Sequence, residues 1–168
     1  MFRIRPATVS DIDDLIRLRC LMFEAMGIPP DVEVWRADCV AYLEERLGTD
    51  QVGAFVAEAD ADAGGRLVGC GVGMTSVRMP GPFNLSGRYG YVASMATEPE
   101  WRGLGIARSI VVALLDWFVG VGVVSVDLHA TKDGEPVYRS LGFKEDEYLG
   151  LRWRAHPLAM NLPPPIGE

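Results

Sequence analysis

Thr97-Glu98-Pro99-Glu100-Trp101-Arg102-Gly103-Leu104-Gly105-Ile106-Ala107 joins an apolar strand, expected over 91–96, to a long apolar helix, expected over 105–119. Two glycines and an arginine stand at the junction. Gly103 and Gly105 can take backbone angles closed to other residues and put no side chain in the way, so consecutive N–H groups can converge on an anion. The helix behind them adds its positive N-terminal end. A turn of this kind binds phosphate.

Working outward, the helix after the turn presents a broad apolar face of Ile106, Ala107, Ile110, Val111, Leu114, Trp117 and Phe118. Upstream, residues 79–90 hold Pro80, Gly81, Pro82, Gly87 and Gly90 and read as a loop. Two strands precede it, 52–58 and 67–77, joined by the flexible connection 60–65. In the second, Gly69, Gly71 and Gly73 alternate with Cys70, Val72 and Met74, so one face carries almost no side chains and something must pack closely there.

At the start, 2–5 is a short strand ending at Pro6, and Ser10 is expected to cap a helix reaching about residue 26. Its apolar face holds Ile12, Leu15, Ile16, Met22, Phe23 and Met26, with Arg19 in the middle. A second helix is expected over 32–47, stopped at Gly48. Downstream, 124–130 reads as a strand and 136–141 as a short helix, and 143–162 should supply one or two more strands. The order β-α-α-β-β-β-α-β-α-β is a mixed α/β fold of α+β type.

The 168 residues suit one hydrophobic core, so a single domain is expected over 1–162 with a proline-rich tail at 163–168. The net charge of −7 comes with scattered rather than clustered basic residues, which argues against nucleic acid or an anionic membrane as partner and leans toward a cationic acceptor. Cys20, Cys39 and Cys70 are odd in number and widely spaced, the pattern of reduced core thiols rather than a disulfide or metal framework. Met1-Phe2-Arg3-Ile4-Arg5 lacks the apolar run of a signal peptide, and no segment has the length of a membrane span. The expectation is a cytoplasmic protein without a metal. Oligomeric state is not written in the chain; a homodimer is the common default.

Arg102-Gly103-Leu104-Gly105-Ile106-Ala107 fits Arg/Gln-x-x-Gly-x-Gly/Ala in a strand, turn and helix context, and Tyr138-Arg139-Ser140-Leu141-Gly142-Phe143 follows about thirty residues later. Together they resemble the GNAT superfamily of acetyl-CoA-dependent N-acetyltransferases over nearly the whole chain. The resemblance implies a central mixed sheet with splayed middle strands, flanked by helices. It implies that Gly103, Leu104, Gly105, Ile106 and Ala107 hold the CoA pyrophosphate through their N–H groups, with Arg102 nearby. Met95, Ala96 and Thr97 would offer backbone bonds to the pantetheine arm and thioester, beside a β-bulge that opens a slot between strands. Tyr138 would be the general acid toward the departing thiolate. Where the family often has Asn and Ala before this tyrosine, the chain has Thr131 and Gly134. The Thr131 hydroxyl would bond the CoA arm.

The implied reaction is direct attack of a neutral amine on the thioester in a ternary complex, so a proton must leave an ammonium group. Glu24, Glu98 and His129 are candidate bases. His129 shares a strand face with Asp127, which could orient its imidazole, or it is an ordinary strand residue. Arg19 is either a clamp for a substrate carboxylate or half of an internal ion pair. Glu24, Met26 and Tyr89 would border the acceptor slot. A small-molecule amine is the expected acceptor, with a peptide or protein N-terminus or lysine as the alternative. Two other readings remain: an acyl-CoA sensor without turnover, and a dinucleotide-binding domain, against which Arg108 stands where that motif needs its last glycine.

Overall fold

Period-two alternation of apolar residues produces the strands, and the helical period produces helices both before β2 and again from Ile106. A computed structural model describes residues 1–28, 33–60, 65–147 and 150–153, with the backbone alone at 33 and 34. Five strands are present: β1 (Phe2–Pro6), β2 (Val52–Ala59), β3 (Leu67–Val77), β4 (Arg88–Thr97) and β5 (Ser125–Asp127). They lie in one sheet in chain order. β1 to β4 pair antiparallel in succession, and β4 pairs parallel with β5. A parallel pair needs a crossover, which α3 (Ile106–Gly120) supplies.

Helices α1 (Ile12–Ala25) and α2 (Glu33–Arg46) bury one face of the sheet. Leu15, Leu18 and Leu43 meet Val52, Val56, Cys70 and Val72 there. On the other face Ile106, Ile110, Leu114 and Phe118 of α3 pack on Ala57, Val68 and Val92. Each such large apolar side chain contributes about 1.5–3 kcal/mol by leaving water. The bare face of β3 is where α3 rests. A methyl group added at Gly69 would lie 2.8 Å from Ile106 Cγ2, at Gly73 2.8 Å from Phe118 Cζ, and at Gly71 2.6 Å from Ile110 Cγ2.

Several boundaries differ from the expectation. The cap of α1 is not Ser10: a 3-10 turn, Val9–Asp11, comes first, and the Asp11 carboxylate reaches back to accept the Thr8 N–H at 2.8 Å. Because Asp11 also receives both arms of the Arg5 guanidinium at 2.7 and 2.8 Å, it fastens α1 to β1. β4 starts at Arg88, three residues earlier than its breaker-rich approach suggested, since the Asn84 amide bonds the Arg88 carbonyl and closes the loop. β5 has three residues rather than seven, because it parts from β4 after Asp127. The short helix α4 is Glu135–Ser140. No strand is present among the described residues after Phe143; the rest of 143–162 and the tail lie outside them. Cys20 and Cys70 are buried free thiols and Cys39 is half-buried.

Candidate active site between two diverging strands

Where β4 and β5 run together they pair Tyr89 with Ser125, Gly90 with Val126 and Tyr91 with Asp127. Beyond that point β4 continues alone to Thr97. On its other side β3 keeps pairing, but Ser94 and Met95 together oppose the single residue Gly71, a β-bulge. Ser94 takes φ +53°, the left-handed region that a side chain enters at a cost of about 1 kcal/mol. The result is a slot: past Tyr91 β4 has no strand on its β5 side, so its outward backbone groups have no strand partner there.

At the end of the slot the chain turns into α3. Gly103 and Gly105 have φ +77° and +83°, and Gly105 is the N-cap. The first helical bond runs from Ser109 N–H to the Gly105 carbonyl at 3.0 Å, leaving the N–H groups of Ile106, Ala107 and Arg108 without an intrahelical acceptor. Leu104 is exposed, Ile106 is buried against the sheet and Ala107 is half-buried. The exposed Arg102 bonds the Thr97 carbonyl through Nε at 3.2 Å, which fixes it between strand end and turn. Trp101 packs on the α3 core, anchoring the turn.

Tyr138 of α4 stands edge-on to Phe143, with ring centres 5.9 Å apart. Burial, and the neighbouring Tyr91, push its phenol above the ordinary value, so it is a neutral O–H donor at physiological pH. Gly134 has a local reason: a methyl there would come within 3.2 Å of the Tyr138 ring. The Thr131 hydroxyl accepts the Gly134 N–H at 3.2 Å and so starts α4; its own O–H remains to donate.

Of the two readings of His129, the pairing with Asp127 does not form. Asp127 is held by Arg78 at 3.1 Å, and His129 Nδ1 meets the Tyr91 hydroxyl at 2.9 Å, because the chain past β5 swings the imidazole toward β4. Tyr91 is therefore a candidate site residue that the sequence reading passed over. Its signal was alternation: Tyr89, Tyr91 and Ala93 share the sheet face turned away from α3, since Gly90 and Val92 face it. Tyr89 lies under Arg78, 4.2 Å from guanidinium to ring centre. Glu24 is exposed and lines a groove of about 630 Å³ with Cys20, Leu21, Arg36 and Glu98. Met26, at the end of α1, is half-exposed. Glu98 is buried between Arg17 and Arg66, both at 2.7 Å, which makes it a structural tie rather than a base.

Arg19 has no carboxylate partner among the described residues, contrary to the expected internal ion pair. It donates to the Ser94 hydroxyl and lies over the rings of Phe23 at 4.9 Å and Trp35 at 5.7 Å. No cluster of metal-ligating side chains occurs among the described residues. No described helix is long and apolar enough to cross a membrane.

Known proteins share this arrangement. The acetyltransferase (GNAT) family profile matches residues 13–143. The chain is 30% identical over 155 residues to an uncharacterized protein, ML0378, of Mycobacterium leprae; the match spans 92% of this chain and 37% of that protein. Among solved structures, a predicted acetyltransferase of Clostridium acetobutylicum, crystallised with acetyl-CoA, superposes with TM-score 0.79 at 28% identity over 90% of this chain and 96% of that one. A GCN5-related N-acetyltransferase of Ralstonia eutropha shares the fold at TM-score 0.75 and 21% identity, over 91% and 99% of the two chains.

Proposed function

Because the chain belongs to the acetyltransferase (GNAT) family, we propose that it moves an acetyl group from acetyl-CoA to the amine of a small molecule, in a ternary complex without a covalent enzyme intermediate. The observation that carries this reading is the slot itself, a free β4 edge ending in a turn of open N–H groups. Gly103 to Ala107 and the start of α3 hold the pyrophosphate of CoA, with Arg102 beside it. Met95, Ala96 and Thr97 pair their outward backbone groups with the amides of the pantetheine arm, as a strand would. The Clostridium acetobutylicum structure, crystallised with acetyl-CoA, supports that choice of donor.

The chemistry follows from what lies beside the slot. In the tautomer that donates Nδ1–H to the Tyr91 hydroxyl, His129 presents an Nε2 lone pair to take the proton that the attacking amine loses. The amine nitrogen bonds the thioester carbon, backbone N–H groups of β4 stabilise the oxyanion, and the C–S bond breaks on collapse. Tyr138 gives its proton to the departing thiolate. Glu24, Met26 and Tyr89 border the space for the acceptor.

Replacing Tyr138 by Phe tests the reading. Loss of a general acid is expected to lower kcat on the order of 100-fold in a thiol-release assay, with acetyl-CoA affinity by calorimetry unchanged. A protein that binds acetyl-CoA and has no turnover to lose is a sensor instead. No binding at all ends the proposal.

A further inference from the structure

Arg19 is the half-buried cation whose chemistry the fold leaves unfinished. Arg5, Arg17, Arg66 and Arg88 each meet a carboxylate within 3 Å. Arg19 meets a neutral hydroxyl and two aromatic rings, and its Nε is buried without an acceptor. A guanidinium has five N–H donors in a planar fork. Removing such a group from water without a counter-charge is unfavourable, and ring faces return only part of that cost. Phe23 and Trp35 stand edge to face at 86° and 5.4 Å, so they form a fixed wall that holds the guanidinium against β4.

Its place matters as much as its lack of a partner. Its hydrogen-bond acceptor among the described residues, Ser94, is the left-handed bulge residue on the stretch of β4 that runs free of β5. Arg19 comes from α1, on the sheet face that also carries Tyr91 and, through it, His129. An anion at Arg19 therefore lies on the same side of the slot as the proton-taking pair.

We propose that Arg19 is the acceptor-specificity residue: the amine acetylated here also carries an anionic oxygen group, a carboxylate or a phosphate, which the Arg19 guanidinium takes up beside the Ser94 bulge. The inference rests on the acetyl-transfer reading above and narrows its acceptor. An acceptor with both charges also fits a protein whose overall charge of −7 would otherwise repel anions, because only a local, pre-formed cation can hold one there. The planar fork suits either oxygen group in a two-point contact.

The test uses the full chain with acetyl-CoA and acceptors in matched pairs. One pair is an amino acid and the amine lacking its carboxylate; the other is an amino sugar with and without a phosphate ester. The wild-type protein is expected to favour the anionic member of at least one pair by tenfold or more in kcat/KM, and which pair identifies the oxygen group. Arg19→Gln is expected to bring that ratio near one by raising KM for the anionic member, with the KM for acetyl-CoA unchanged. Arg19→Lys keeps the charge and loses the fork, so it should retain part of the preference; it also serves if the Gln variant does not fold. A preference for the neutral members, equal use of both, or a preference that survives Arg19→Gln overturns the inference, as does a shift confined to the KM for acetyl-CoA. Acetyl-CoA binding without thiol release from any acceptor overturns the acetyl-transfer reading instead.

Discussion

Both faces of the sheet bury apolar side chains, and they differ in what else each carries. Against α3 the strands offer absence: Gly69, Gly71, Gly73 and Gly90 let Ile106, Ile110 and Phe118 settle onto bare backbone. Against α1 an apolar layer of Leu15, Leu18, Val56 and Val72 is bordered by polar pairs: Asp11 with Arg5, Glu98 with Arg17 and Arg66, and Arg19 with Ser94. Apolar contact without side chains is insensitive to pH and intolerant of added volume. Ion pairs tolerate small changes of volume and respond to pH. The difference fits the placement of the polar pairs Tyr91–His129 and Arg19–Ser94 on the α1 side, where polar side chains reach β4 without displacing the layer under α3.

The sharpest way to break the comparison is to add volume to the α3 face. Gly71→Val places a branched side chain against the Met95 sulfur and 2.6 Å from Ile110 Cγ2, in a core with no room to move. The expected loss is about 3 kcal/mol or more, read as a lower urea midpoint at unchanged slope. On the opposite face Ser94→Ala should cost about 1 kcal/mol, the worth of one hydrogen bond. Equal costs would mean that the two faces are not held differently.

A smaller effect sharpens the other half. Arg5 holds the Asp11 carboxyl at about 2, below its ordinary 3.8. A lowered folded-state value contributes stability that is complete above about pH 4 and disappears as pH falls through about 2. The shift corresponds to about 2 kcal/mol. Asp11→Asn should therefore lower stability by about that amount at pH 7 and by almost nothing at pH 2, measured by denaturant titration at both values. The same comparison on Gly71→Val should give a loss independent of pH.

What the sequence made legible follows the same division. The α3 face could be read because its rule is local: alternating glycines in 69–73 announce a close neighbour, and Gly103 and Gly105 announce a turn with positive φ. The pairing of side chains on the α1 face could not. His129 looks toward Asp127 by strand spacing, yet β5 stops at Asp127, and Arg78, just past the end of β3, takes the carboxylate. Arg19 and Ser94 are 75 residues apart, and nothing short of the folded sheet brings them together. Spacing finds partners along one element; partners across elements depend on where a strand ends.

Glycines on the two sides of this boundary do different work, and one substitution at each separates the reasons. Gly69 has ordinary backbone angles, and what excludes a methyl there is Ile106 at 2.8 Å. Gly105 has φ +83° and no atom within 4 Å of where its Cβ would stand, so space is available and only the backbone objects. Gly105→Ala should thus cost about 1 kcal/mol of stability, the penalty of the left-handed region, without disturbing the core. Its larger consequence should fall on the ligand. Relaxing φ turns the N–H groups of Ile106 and Ala107 away from a common point, so acetyl-CoA binding by calorimetry should weaken about tenfold or more. In Gly69→Ala the stability loss should match or exceed that of Gly105→Ala while acetyl-CoA binding changes little. Weakened binding in both variants alike would mean that the turn takes its shape from the packing beneath it rather than from its own glycines.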